Sequence, residues 1–165
     1  MPAPQFVHVS YIAAPAGRVF AALTDAELAR ELWGFRIEGE WRAGGEFRQV
    51  TGTGEVAAAG EVLVCEPPRR LAITWRWALF GGERRAMPDA SATCELEPLG
   101  ALTRLTVSET HAEPVDEEYL AGGRDGWPLV VSRLKTRLET GRPLTPPATP
   151  RAADDEADPP PPQAS

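Results

Sequence analysis

The spacing of apolar residues changes period along the chain, and each change predicts an element. Phe6 to Ile12 is a β-rich run that stops at Ala14-Pro15. Pro15 suits the first turn of a helix, and Val19, Phe20 and Leu23 form its apolar face. Thr24-Asp25-Ala26-Glu27 has the letters of a capping box, in which the Thr24 hydroxyl and the Glu27 carboxylate each serve a free backbone donor. A second short helix follows, with Leu28, Leu32 and Trp33 before Gly34. From Trp41 the period becomes 2. A Gly44-Gly45 turn leads into a strand around Phe47, and Gly52 and Gly54 mark another turn. Val56 to Cys65 and Leu71 to Leu79 follow, separated by Pro67-Pro68. Leu71, Ile73, Trp75 and Trp77 alternate with Ala72, Thr74 and Arg76, which gives one heavily apolar face and turns Arg76 outward. After a polar connection from Gly81 to Pro88, Ala92, Cys94 and Leu96 alternate with Thr93, Glu95 and Glu97. Beyond the turn at Pro98 to Gly100, Thr103, Leu105 and Val107 alternate with Arg104, Thr106 and Ser108.

The period then returns to 3.6. Trp127, Val131, Leu134 and Leu138 recur at i, i+4, i+7 and i+11, and Val130 widens the stripe. Arg133, Lys135, Arg137 and Glu139 lie off it and are expected to meet water. Gly141 can take the left-handed conformation that stops a helix, and Pro143 cannot resume it. The order is strand, two short helices, about six closely linked strands and one long helix from Gly126 to Gly141. Such an order predicts an α+β fold, an antiparallel meander whose apolar face is covered by the final helix.

Composition narrows the function classes. The chain of 165 residues has a net charge of -7, and its positive charge is nearly all arginine, Lys135 being the only lysine. Residues 1–141 form one domain long enough to bury about two-thirds of its unfolded surface. From Arg142 to Ser165 there are eight prolines and no aromatic residue, a composition that cannot offset its ordering entropy, so residues 142–165 are expected to be a disordered, acidic tail. Its Pro159–Pro162 run favours polyproline geometry and is the candidate contact for a protein partner. An acidic chain without a basic cluster lacks the footprint of a nucleic-acid binder. No run reaches the ~18 apolar residues of a membrane span, and no signal peptide is legible, so a cytoplasmic location is expected. Cys65 and Cys94 lie in apolar strand-like runs and read as buried free thiols. With His8 and His111 they make no paired-ligand motif, so neither a metal nor a cofactor is expected.

Several ordered motifs then point to a family. Pro15-x-x-Arg18-Val19-Phe20-x-Ala22-Leu23-Thr24-Asp25, Gly44-Gly45-x-Phe47, Gly60-x-Val62, Pro68-x-x-Leu71-x-x-Thr74-Trp75, Leu102-Thr103-x-Leu105-Thr106 and Gly126-Trp127 through Gly141 occur in sequence. Over about residues 6 to 142 the chain resembles the bacterial homologues of the C-terminal domain of the activator of the 90-kDa heat-shock chaperone ATPase, in the START (SRPBCC) superfamily. The resemblance implies a helix-grip fold, with an antiparallel sheet of six to seven strands wrapped around the C-terminal helix and a cavity between them. Relatives in the superfamily bind lipids, sterols or polyketide-like molecules, and some catalyse cyclisation or dehydration. Fold alone does not choose among these.

Candidate chemistry is sparse. Gly52-Thr53-Gly54-Glu55-Val56-Ala57 has the letters of a dinucleotide fingerprint, but no alternating strand-helix units surround it, so it reads as a hairpin turn. Ser108, Glu109 and His111 end the last strand, with Glu109 and His111 on one side of it. They are the candidate acid-base pair, although polar residues at a strand end ordinarily meet solvent. Trp33, Phe47, Trp75, Trp77, His111 and Trp127 are the candidate ligand contacts, because large rings with one polar edge line apolar pockets. For Trp127, on the helix stripe, packing in the core is the simpler role. The leading expectation is a module that binds an apolar or amphipathic small molecule. The alternatives are an acid-base enzyme of the cyclase or dehydratase type, acting through Glu109 and His111, and a co-chaperone-like interaction module.

Overall fold

The computed structural model describes residues 6–80, 83–84, 89–112 and 117–144; of 79, 80, 83, 84 and 118–125 only the backbone is considered. The elements run β1 (Phe6–Ile12), α1 (Ala16–Leu23), α2 (Ala26–Trp33), β2 (Arg36–Gly39), β3 (Glu46–Val50), β4 (Val56–Glu66), β5 (Arg70–Trp77), β6 (Leu79–Phe80), β7 (Glu83–Arg84), β8 (Ala90–Leu99), β9 (Leu102–His111) and α3 (Glu117–Thr140). Seven strands form one antiparallel sheet in the order β1-β9-β8-β5-β4-β3-β2, and β6 and β7 make a small separate hairpin. The β6-β7 pair is inserted between the neighbours β5 and β8, and the two helices separate β1 from β2, so that β1 pairs with β9 instead. This is the α+β helix-grip architecture. The expected tail lies outside the described residues beyond Leu144.

Three local expectations are corrected. The cap of α2 is Asp25, whose Oδ1 accepts from the backbone N–H of Glu27 at 2.8 Å and of Leu28 at 3.1 Å. Thr24 turns back instead and donates to the carbonyls of Phe20 and Ala21, ending α1. With only one residue between the two helices, an anion suits the N-terminal dipole, and the hydroxyl serves carbonyls left open at the preceding C-terminus. The strand β2 was not expected, since Ile37 is its one large apolar residue; pairing with β3, from Arg36 opposite Val50 to Gly39 opposite Phe47, creates it. The last helix begins at Glu117 rather than Gly126. Gly122, Gly123, Gly126 and Pro128 all argue against a helix locally, yet the backbone stays helical through them.

The core lies between the sheet and the helices. Along β9, Thr103, Leu105, Val107, Glu109 and His111 are buried, while Arg104, Thr106, Ser108 and Thr110 are only half-buried. Trp127, Val130, Val131 and Leu134 of α3 are buried, and Leu138 packs at the margin. The backbone of α3 runs beside β1, α1 and α2, and its reach to β5 is made by a ring, Trp127 against Trp75. The polar flank of α3 does more than meet water. Arg133 donates to the Leu32 carbonyl, Arg137 pairs with Glu31 at 2.9 Å, and Lys135 donates to the Tyr11 carbonyl at 2.6 Å. Glu139 accepts from the backbone N–H of Ala13 at 2.8 Å and from Lys135, and both bonds hold its carboxyl below the usual range. These bonds fasten the C-terminal half of the helix to α2 and to the end of β1.

Candidate functional site

The inner face of the sheet changes character toward the open end of β9. Antiparallel pairing lays residues from successive strands in rows. One row runs Ile73, Ala92, Glu109 and Phe6, and the next runs Trp75, Ala90 and His111. The alanines in the middle of both rows are buried and small, so the large side chains on either side rise above them. Glu109 and His111, expected to meet solvent, are 3% and 5% exposed. The reason is tertiary: Trp127 of α3 lies against Glu109 and joins the buried core at this end of the sheet.

His111 Nε2 lies 2.7 Å from Glu109 Oε1. Burial pushes the Glu109 carboxyl above its ordinary range, while hydrogen bonds from His111 and Trp127 act in the opposite sense. Trp127 is the centre of the arrangement. Its ring meets Trp33 edge-on at 4.6 Å between centroids and Trp75 at 6.2 Å, and its indole N–H faces Glu109. The cap at Asp25 and the stop at Gly34 fix the length of α2 and so set Trp33 at its last turn. Trp33 and Trp75 remain half-buried, each with part of its ring uncovered.

The other candidates stand apart. Phe47 is buried and stacks on Trp41, with centroids 5.6 Å apart and planes 20° apart. It sits over Gly60, where an added Cβ would come within 2.9 Å of the ring and 1.7 Å of the Thr74 carbonyl oxygen. Trp77 is half-buried and meets Phe35 at 6.0 Å. Arg76 is exposed and holds Asp89 through two hydrogen bonds, and Arg48 is exposed and pairs with Glu38. Gly52 to Glu55 is the turn between β3 and β4. Cys94 is buried, and Cys65 is half-buried with its thiol on the Trp41 carbonyl. Among the described residues, no group of three His, Cys, Asp or Glu side chains could hold a metal ion.

Sequence reasoning missed Gln49. It faces inward on β3, is 7% exposed, and its amide oxygen has no hydrogen-bond partner. Alternation with Phe47 was the available signal. The buried indole N–H of Trp75 is likewise unpartnered.

With this geometry in view, comparison with known proteins is specific. The family model described as Activator of Hsp90 ATPase homolog 1-like protein matches residues 13–139, more than half of the chain. The chain belongs to this family. Its fold is of the START/SRPBCC type. Among solved structures, CalU16 from Micromonospora echinospora is similar at 27% identity and a TM-score of 0.63, covering 82% of this chain and 76% of CalU16. DynU16, described as a protein in the dynemicin biosynthetic locus, is 27% identical with a TM-score of 0.67. That match covers 83% of this chain but only 48% of DynU16, so the chain spans about half of that relative. Protein MLL2253 from Mesorhizobium loti, at 24% identity and a TM-score of 0.66 over 83% of this chain and 99% of that one, shares the fold. No curated protein matches. No described helix of this family member is long and apolar enough to cross a membrane.

Proposed function

We propose that this family member binds an apolar or amphipathic small molecule between the sheet and α3, against Trp33, Trp75, Trp77, Trp127 and His111, with Phe47 supporting the floor. One observation carries the reading: the Glu109–His111 pair is kept from water beside rings that are only half covered. Burying a carboxylate and an imidazole is costly for a purely structural core, whereas a few polar groups among aromatic rings are what a small-molecule site requires. The likeness to DynU16, described by its biosynthetic locus, agrees with a small-molecule partner.

Native mass spectrometry of freshly purified protein, together with a thermal-shift screen of lipids and aromatic compounds, tests the proposal. A ligand at a hundredfold its dissociation constant should add about 2.7 kcal/mol. No co-purified mass and no shift with any compound would refute it.

The 2.7 Å contact between Glu109 and His111 favours a second reading, acid-base catalysis on the bound molecule. A carboxylate that orients an imidazole is the usual arrangement of a general base. Substituting His111→Gln separates the two readings: retained binding with lost turnover supports catalysis, and absence of turnover in the wild type with a bound ligand removes it.

A further inference from the structure

We infer that Gln49 and Trp75 select the ligand, and that the molecule they select is uncharged and carries a hydrogen-bond donor at one end and an acceptor at the other. This inference rests on the binding reading above and specifies its chemistry. Gln49 lies where the register between β3 and β4 shifts, between Gln49 and Val50, with Ile37 opposite it on β2 and Ala58 opposite it on β4. Ala58 in turn faces Trp77 of β5. An inward amide among apolar and small neighbours has nothing to bond, and its oxygen is both buried and unpartnered. Two residues before Trp77, on the same face, the Trp75 indole N–H is also buried and unpartnered.

The two orphans have opposite sense. An amide oxygen accepts, and an indole N–H donates. Nearly all buried polar groups in folded proteins find partners, so an acceptor and a donor left open on one face require an explanation. A bound molecule that displaces the side chains now covering these two atoms supplies it: its O–H or N–H donates to Gln49 Oε1, and an oxygen accepts from Trp75 Nε1. β3 and β5 are separated only by β4, so their backbones lie about 10 Å apart, a span that one bicyclic molecule bridges. The charge of the ligand also follows. The arginines nearest on these strands, Arg48 and Arg76, point away from this face and are paired with Glu38 and Asp89. A carboxylate or phosphate would therefore lie buried without a counter-charge.

Titration calorimetry on the full chain with matched 2,6-disubstituted probes tests the assignment: 2,6-dimethylnaphthalene, 6-methoxy-2-naphthol and 6-methoxy-2-naphthoate. The apolar probe reports the binding reading, and the hydroxyl and the ether oxygen, at opposite ends of the ring system, report Gln49 and Trp75. Gln49→Leu and Trp75→Phe should each weaken 6-methoxy-2-naphthol about tenfold more than they weaken 2,6-dimethylnaphthalene, the effect of losing one well-placed hydrogen bond on top of any lost ring contact. In the wild type 6-methoxy-2-naphthoate should bind more weakly than 6-methoxy-2-naphthol. Unchanged 6-methoxy-2-naphthol affinity in both variants, equal losses for the two neutral probes, or tighter binding of the naphthoate would overturn the assignment while leaving small-molecule binding intact. If the wild type binds none of the probes, the binding reading and the assignment fall together. Circular dichroism of each variant confirms that it is folded, and each variant alone suffices.

Discussion

The indole of Trp127 serves two purposes, packing and a hydrogen bond, and the two can be separated by mutation. In Trp127→Phe a ring remains against Trp33 and Trp75, but the N–H that faces Glu109 is gone. A hydrogen bond to a charged group contributes about 1.5–3 kcal/mol, so a loss of about 2 kcal/mol is expected from a total stability on the order of 5–15 kcal/mol. In Trp127→Ala the ring is lost as well. A buried Trp→Ala change costs about 3–5 kcal/mol, and the two edge-on ring pairs push the value toward the top of that range. The decisive measurement is a double-mutant cycle with Glu109→Gln. Removing the charge first should reduce the cost of Trp127→Phe, giving a coupling of about 1 kcal/mol. Urea denaturation at neutral pH, followed by far-ultraviolet circular dichroism so that losing a tryptophan does not distort the signal, provides all four corners. A coupling below about 0.3 kcal/mol would refute the hydrogen bond, and a Trp127→Ala cost below about 2 kcal/mol would refute the packing role.

Four further outcomes follow from the same structure. Because burial raises the Glu109 carboxyl above 4.5, the folded state binds more protons than the unfolded state above that pH. Its contribution to stability must therefore fall as pH rises from about 4.5 through the raised value, and Glu109→Gln should flatten that part of the urea-midpoint profile. Gly60→Ala should cost more than about 3 kcal/mol, since its Cβ would sit 1.7 Å from the backbone oxygen of Thr74, whereas Gly126→Ala, with nothing within 4 Å on an exposed helix surface, should gain about 0.5–1 kcal/mol. Melting temperatures of the two variants should thus move in opposite directions, and a mild Gly60→Ala would contradict the close approach of β4 and β5. Burial pushes the Cys94 thiol up to about 12, so iodoacetamide near pH 8 should leave it unmodified until the protein unfolds; rapid native labelling at Cys94 would contradict its burial. Finally, Gln49→Leu should stabilise the ligand-free protein by about 1–3 kcal/mol in urea, because it removes a buried acceptor that has no partner. A destabilisation would show that the amide is satisfied.

Much of the sheet was legible because its strands repeat a period of 2 over enough residues to be unambiguous. Leu71 to Trp77 and Thr103 to Ser108 are examples, and the stripe from Trp127 to Leu138 worked equally well for the end of the last helix. What failed were features that depend on a distant partner. Four residues with one large apolar side chain, Arg36–Gly39, become a strand only when β3 offers its edge. The Thr24-to-Glu27 motif fits a capping box, yet the proximity of α1 gives Thr24 other carbonyls to bond and passes the cap to Asp25. The acid-base pair was found by spacing, since Glu109 and His111 share one side of a strand, but its burial was not. A strand end is exposed by default, and only the contact of Trp127 from the distant α3 makes this one an interior. Gln49 was overlooked for the same kind of reason. An isolated glutamine between Arg48 and Val50 looks like surface until Ile37, Ala58 and Trp77 are known to lie in its row.

The inner face therefore holds two kinds of buried polarity. Glu109 is held by His111 and Trp127, so removing either partner leaves the carboxyl to bear the cost of burial, and substitutions there should destabilise. The Gln49 oxygen and the Trp75 N–H satisfy nothing in the chain, so apolar replacements there should stabilise. A core shaped by folding alone has no reason to keep the second kind, because each such atom lowers the stability of the only state that matters. Retaining both kinds on one face, beside rings that are not fully covered, is expected when a second component completes the interior. Opposite signs for the two sets of substitutions, measured without any ligand, would thus distinguish a site from a mere irregularity of packing.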